Sequence, residues 1–278
     1  MGTALFGGYS ETSRCRTLAC SSGVMYHLKA AALLGGPIFL MTALAAVAGG
    51  RAAWWLVGFL SLTTMALLWL ADLLVLRRIG AKRLEEQAAP GLFGIVRTLA
   101  RRQYVPMPAI YMLAQPFPNA LGVRQVTGTQ HIVLTAGLLE ALTANELAAV
   151  IAHELSFLEA GAASLMTLAA LYGCVLERIP LLTRFAGAFT RLTTPTAARY
   201  RADAASAHLI GDAAPLMEAL KKIADPAFAR GLSSYKAVQQ LFIVNSSPFD
   251  GGRSNPALSD RLLRLESLAR RSVAFITP

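Results

Sequence analysis

Charge is scarce in this chain. Asp, Glu, Lys and Arg make up 15% of its 278 residues, against ~25% in ordinary soluble domains. With 55% of residues hydrophobic, that scarcity excludes intrinsic disorder, which needs low hydrophobicity and high net charge. Cysteine is scarce as well: Cys15, Cys20 and Cys174 are too few for a disulfide scaffold. No internal repeat is present, which excludes a solenoid or propeller. What is abundant is apolar sequence, and the mean hydropathy of +0.49 reads as a membrane protein.

Residues 1–27 are rich in Gly, Ser and Thr and form a polar tail without the apolar stretch of a cleavable signal. From Ala30 to Ala48 and again from Ala52 to Ala71 the chain carries no charge, and each run has the length that crosses a hydrocarbon core. Trp54, Trp55 and Trp69 sit near the two ends of the second run, where interfacial aromatics belong. The expectation is a transmembrane hairpin over residues 28–83, with helices at about 30–48 and 52–76. Arg77, Arg78, Lys82, Arg83, Arg97, Arg101 and Arg102 follow it, so the positive-inside rule puts the remainder on the cytoplasmic side of the membrane, the inner membrane if the cell is bacterial. The net charge of +10 is thereby explained by a membrane flank, and no nucleic-acid partner is expected, because the basic residues are not interleaved with aromatics in a binding module. The partners expected are the lipid bilayer and other membrane proteins.

Residues 84–102 carry Leu92, Ile95, Val96 and Leu99 on one helical stripe, an amphipathic helix that Pro106 and Pro108 bring to an end. Ala109 to Leu113 and Val126 to Thr135 read as short strands of a small sheet, joined by a loop with Pro116, Pro118, Asn119 and Gly122. Thr143 and Glu146 form a capping box ahead of the apolar run Leu147, Ala148, Val150, Ile151, so a buried helix starts there. A third apolar run, Ala160 to Leu176, leads into a segment to residue 194 that is too short to cross back, which suggests a membrane-inserted hairpin over about 160–194. A last amphipathic helix carries Leu258, Leu262, Leu263, Leu265 and Leu268.

Inside the capped helix stands His153-Glu154-Leu155-Ser156-Phe157. It is one residue short of H-E-x-x-H, in which two histidines a helical turn apart donate to one zinc and the glutamate activates the bound water. Phe157 occupies the second histidine's position and has no lone pair to donate.

The wider sequence resembles the HtpX-like family of membrane-embedded zinc metallopeptidases, relatives of the CAAX prenyl endopeptidases. The resemblance is carried in order by the apolar hairpin, LARRQYVPMPAIYML (99–113), PNAL (118–121), HIVLTAGLLEALTANELAAVIAHEL (131–155), SLMTLAALYG (164–173), RYRAD and HLIGD (199–203 and 208–212), and SNPALSDRLLRLESLA (254–269). It implies an α+β, mainly helical fold: a transmembrane hairpin, then a gluzincin-type metallopeptidase-like domain with a small sheet over residues 84–278. Within it, His153 matches the first zinc ligand and Glu154 the general base. Phe157 and Arg199 stand where the second and third ligands belong, Gly161 and Ala162 replace an Arg-Asp pair, and Asp203 remains of the acids that orient the ligands. Asn119 and Ala120 match the edge strand on which a substrate backbone pairs, a peptide groove.

A catalytic zinc needs three protein ligands and an open position, so this set implies a vestigial site with no cofactor. Phe157 is expected to fill the vacated volume, and Arg199 to neutralise Glu154 through a bidentate pair. The implied function is a catalytically inactive HtpX-like body that scaffolds, or is an accessory subunit of, a membrane protein assembly. The alternative is an active membrane zinc endopeptidase of membrane protein quality control with an unusual ligand set. A third reading is a regulator that competes for substrate without cutting.

Overall fold

The computed structural model describes residues 50–176, 196–245 and 257–274, with a few positions between 39 and 47. The polar tail, nearly all of the first apolar run, and residues 177–194 of the expected inserted hairpin lie outside the described residues.

The second apolar run is not one continuous helix. It forms α1 (Arg51–Trp69) and α2 (Ala71–Ile79), which meet at Leu70 with a bend of 60°. No single described helix is long and apolar enough to cross a membrane, although this bent pair passes by length and composition when taken together. Asp72 gives a physical reason for the break. Its carboxylate lies 2.8 Å from His131 in the sheet, and Ala71, Val75, Leu76 and Ile79 are buried beside it, so α2 is held in the core of the domain. α1 leaves Trp54, Trp55, Phe59, Leu62, Met65 and Trp69 exposed.

Four strands follow the order β1-β2-β4-β3: β1 (Lys82–Arg83), β2 (Ala109–Leu113), β3 (Ala120–Arg124) and β4 (Gln130–Thr135). β2 runs parallel to β4, while β1 and β3 are antiparallel to their neighbours. β3 falls where the residue pattern predicts a loop. The two prolines end before it, and the turn after it closes through Gly128 at φ +108°, a conformation glycine adopts without strain. The strand itself is too short and too uniformly buried to show an alternating pattern.

α3 (Pro90–Gln103) buries Leu92, Val96, Leu99 and Ala100, as its stripe predicts. After the short α4 (Ala136–Ala141), α5 (Ala144–Glu159) starts at the predicted capping box: Thr143 N–H donates to Glu146 Oε2 at 2.8 Å and Glu146 N–H to Thr143 Oγ1 at 3.4 Å. Gly161 at φ +72° then allows an 86° turn into α6 (Ala162–Leu176). Residues 162–171 of α6 are buried within the domain, so this part of the apolar run packs against protein. α7 (Thr196–Ile210) lies along α5, where Ser206 Oγ donates to the Ala149 carbonyl at 2.7 Å. α8 (Ala214–Ile223), a run of short helical turns over 226–241, and α9 (Leu258–Ala274) complete the shell around α5.

Candidate functional site

α5 is buried nearly all round, because it crosses the centre of the domain between the sheet and α7. It brings His153, Glu154 and Phe157 into the core, where all three are fully buried. α7 faces it with Arg199 and Asp203, four residues apart and so on one helical face. The sequence motifs therefore converge: five of the residues singled out at the ligand and acid positions meet in one enclosed volume. His208 is on the exposed side of α7.

His153 Nδ1 lies 2.9 Å from Asp203 Oδ1, with the ring turned so that no well-aligned hydrogen bond forms. Burial lowers the imidazole to a pKa of about 4 against the opposing pull of Asp203, so the ring is neutral. Asp203 is in turn gripped by Arg261 of α9, whose Nε and Nη2 donate to the two carboxylate oxygens at 2.8 and 2.7 Å. Burial alone would raise the Asp203 carboxyl, but Arg261 and His153 outweigh it and hold the group well below the usual carboxylate range. Arg261 was not anticipated from the sequence, although the signal was present: an arginine falls on the Leu258, Leu262, Leu265 stripe of an amphipathic helix, where a charge has to find a buried partner.

Glu154 reaches the opposite side, toward β3. Gly122 makes room for it, since a Cβ there would come within 2.8 Å of Glu154 Oε2. Neither carboxylate oxygen has a hydrogen-bond partner. Burial raises Glu154 to a pKa of about 7, against the lowering influence of Arg199 and Arg261.

Arg199 does not form the expected bidentate pair. Its Nη2 donates to the carbonyls of Gln240 and Leu241 at 2.8 and 3.1 Å, and its Cζ lies 4.7 Å from the centroid of the Phe157 ring. Two backbone acceptors and an aromatic face compete successfully for the guanidinium, which acts on Glu154 only through space. Phe157 stands parallel to the His153 imidazole, centroids 6.4 Å apart with 5° between planes. Imidazole, phenyl ring and guanidinium thus follow one another through the interior.

Zinc does not fit these residues. Of the donors facing the interior, His153 Nε2 and the Glu154 carboxylate lack partners, whereas Phe157 offers no donor and Arg199 adds a positive charge. Among the described residues no group of three or more His, Cys, Asp or Glu is arranged to hold a metal ion.

Asn119 and Ala120 lie on the sheet edge as the resemblance implies, yet the edge is not an open groove. Both residues are fully buried. Ile243 N–H donates to the Ala120 carbonyl at 2.8 Å, Asn119 Nδ2 donates to the Val244 carbonyl at 2.9 Å, and Leu121 bridges antiparallel to Phe242.

The model of peptidase family M48 matches residues 86–269, a stretch that contains strands β2 to β4, α5, α7 and most of α9. The chain belongs to peptidase family M48. Its relatives include proteins named protease HtpX homolog, from Burkholderia cenocepacia strain HI2424 at 30% identity and from Paraburkholderia phytofirmans at 28%, each alignment covering 73% of this chain and 82% of the relative. The crystal structure of S. mikatae Ste24p matches with a TM-score of 0.48 at 18% identity, over 89% of this chain and 66% of that one, so the chain spans just under two thirds of that protein. This M48 chain is HtpX-like, and its mainly helical body with a small mixed sheet agrees with that family.

Proposed function

We propose that this chain is a catalytically inactive HtpX-like membrane pseudo-metallopeptidase that serves as a structural, scaffolding or accessory subunit of a membrane protein assembly. The observation that carries the reading is the position of Arg199: a buried guanidinium 4.7 Å from the Phe157 ring centroid, at two of the positions that zinc ligands take in the family pattern. A cation in that volume opposes a dication, and a phenyl ring cannot ligate one. The reading includes a location in the membrane, inner if the cell is bacterial, with the domain on the cytoplasmic side. The exposed aromatic and aliphatic side chains of α1 and the exposed arginines 77 and 78 beyond it support this. The exposed face of α1 is also the surface offered to neighbouring membrane proteins.

One observation favours the second reading, an active membrane zinc endopeptidase. Asp203 still stands 2.9 Å from Nδ1 of His153, within reach of the position from which a carboxylate orients a metal-bound histidine, and Nε2 has no hydrogen-bond partner. The experiment is zinc per chain, measured on protein purified in mild detergent without chelators or added metal, beside His153→Ala and a Phe157→His/Arg199→Glu double variant. The expected result is no stoichiometric zinc in the wild type and a gain in the double variant, with Arg199→Glu alone insufficient. Zinc near one per chain that disappears with His153→Ala would reject the proposal in favour of the protease.

A further inference from the structure

We infer that residues 241–244 are a built-in occupant of the β3 edge, a strap of the chain's own sequence that keeps this edge closed to any other extended peptide, with Arg199 as one of its pins. In β3, which pairs with β4 on one side only, residues 120, 122 and 124 turn their backbone groups outward, since every second residue of an antiparallel strand faces the free edge. Both ends of that row are taken by the chain itself. At one end the Ala120 carbonyl accepts from Ile243 N–H at 2.8 Å. At the other, Arg124 N–H donates to Thr167 Oγ1 of α6 at 3.2 Å.

Three carbonyls of the strap, and that of Gln240 just before it, are gripped by side chains. Arg199 Nη2 holds Gln240 and Leu241, Arg261 Nη1 holds Ile243 at 2.7 Å, and Asn119 Nδ2 holds Val244 at 2.9 Å. Leu241, Phe242, Ile243 and Val244 are all buried. Main-chain pairing to a sheet edge, with buried apolar side chains along the extended segment, is how a peptide docks by strand addition. Here the peptide is intramolecular, so its effective concentration is far above that of any diffusing competitor. A side chain that donates to these carbonyls also gives Arg199 a use other than pairing with Glu154, whose oxygens have no hydrogen-bond partner. The inference is independent of the zinc question: a strapped edge is closed whether or not a metal binds at His153.

The test uses the full chain in mild detergent, with hydrogen exchange of its amides and a fluorescent peptide of the strap's own sequence, QQLFIVN, as the probe. Asn119→Ala and Arg199→Ala loosen the strap from opposite sides. In the wild type, the Ile243 amide is expected to be protected and the peptide not to bind saturably. In each variant, exchange over 239–245 is expected to rise about tenfold and to outpace that of β2 and β4, which remain the slower-exchanging strands, and saturable peptide binding is expected to emerge. Saturable binding of the peptide by the wild type at the variants' affinity overturns the inference, as does an unprotected Ile243 amide. So does exchange over 239–245 that stays as slow as that of β4 and α5 in both variants, which would make residues 241–244 an inseparable part of the core. None of these readouts depends on bound zinc, so the two proposals fail separately.

Discussion

Asp203 and Arg261 on one flank of His153, and Phe157 and Arg199 on the other, are equally buried but treat their polar atoms in opposite ways. On the first flank each carboxylate oxygen of Asp203 accepts from Arg261, and a third nitrogen of that guanidinium reaches the Ile243 carbonyl. On the second, Arg199 leaves Nε and Nη1 without partners, Glu154 leaves both oxygens, and Gln240 leaves Nε2. The first flank is an ionic network in which hydrogen bonds tie α7 to α9, with His153 of α5 lying 2.9 Å from its carboxylate. The second is an arrangement of charges that interact mainly through space. The contrast separates a carboxylate whose two oxygens are both held by Arg261 from a guanidinium and a carboxylate that keep unpartnered atoms in the same interior.

Removing Asp203 should give the largest effect. Asp203→Ala leaves Arg261 as an uncompensated buried cation, at a cost of about 3–5 kcal/mol. Denaturant unfolding in detergent measures it, and a loss below about 1 kcal/mol would mean that the first flank is no more integral than the second.

Glu154 supplies a pH-dependent comparison. Its pKa is raised from 4.5 to about 7, so the native state holds a proton that the unfolded state releases, and its contribution is fully present below about pH 4.5 and lost as pH rises through about 7. His153, lowered from 6.5 to about 4, runs the other way and loses stability as pH falls from 6.5 toward 4. Comparing the wild type with Glu154→Gln cancels the histidine. Between pH 5 and pH 8 the difference in stability should move in favour of the variant by about 2–3 kcal/mol. Parallel pH profiles would show that Glu154 has a partner after all.

Arg199→Ala should cost about 2 kcal/mol, from two charge-assisted bonds to carbonyls and the contact with Phe157, offset by relief of a buried charge. The same cost is expected in a Glu154→Gln background at pH 5, where the Glu154 carboxyl, raised to about 7, is protonated and its through-space attraction for Arg199 is switched off. Strong coupling between the two would restore the bidentate pair that the structure replaces with carbonyl contacts.

How much of this was legible in the residues follows from the range of each interaction. The capping box and the α3 stripe are local, and both were readable from periodicity and spacing. The meeting of His153, Glu154 and Phe157 with Arg199 and Asp203 was readable only through the ordered family motifs, since about forty residues separate the two helices. Three features escaped. The bend at Leu70 depends on Asp72 finding His131 across 59 residues. Arg261 finds Asp203 across 58 residues, a pairing that the local stripe of its helix does not encode. The carbonyls that capture Arg199 are backbone atoms, and residue types say nothing about where a backbone acceptor will point.

Gln240 offers the smallest and sharpest comparison. It is buried, its carbonyl is held by Arg199, and its Nε2 has no partner. A side chain that helped to hold the second flank would cost the penalty of a lost hydrogen bond when removed. A donor already buried without a partner incurs its desolvation cost in the native state, and replacement by an apolar group of similar shape removes that cost. Gln240→Met keeps the length and the backbone carbonyl, so Arg199 retains its acceptor. Its unfolding free energy should therefore lie within about 1 kcal/mol of the wild type, on the stabilising side. A clear destabilisation in the same denaturant series would mean that the amide is satisfied in solution, and that the second flank is as much a hydrogen-bonded network as the first.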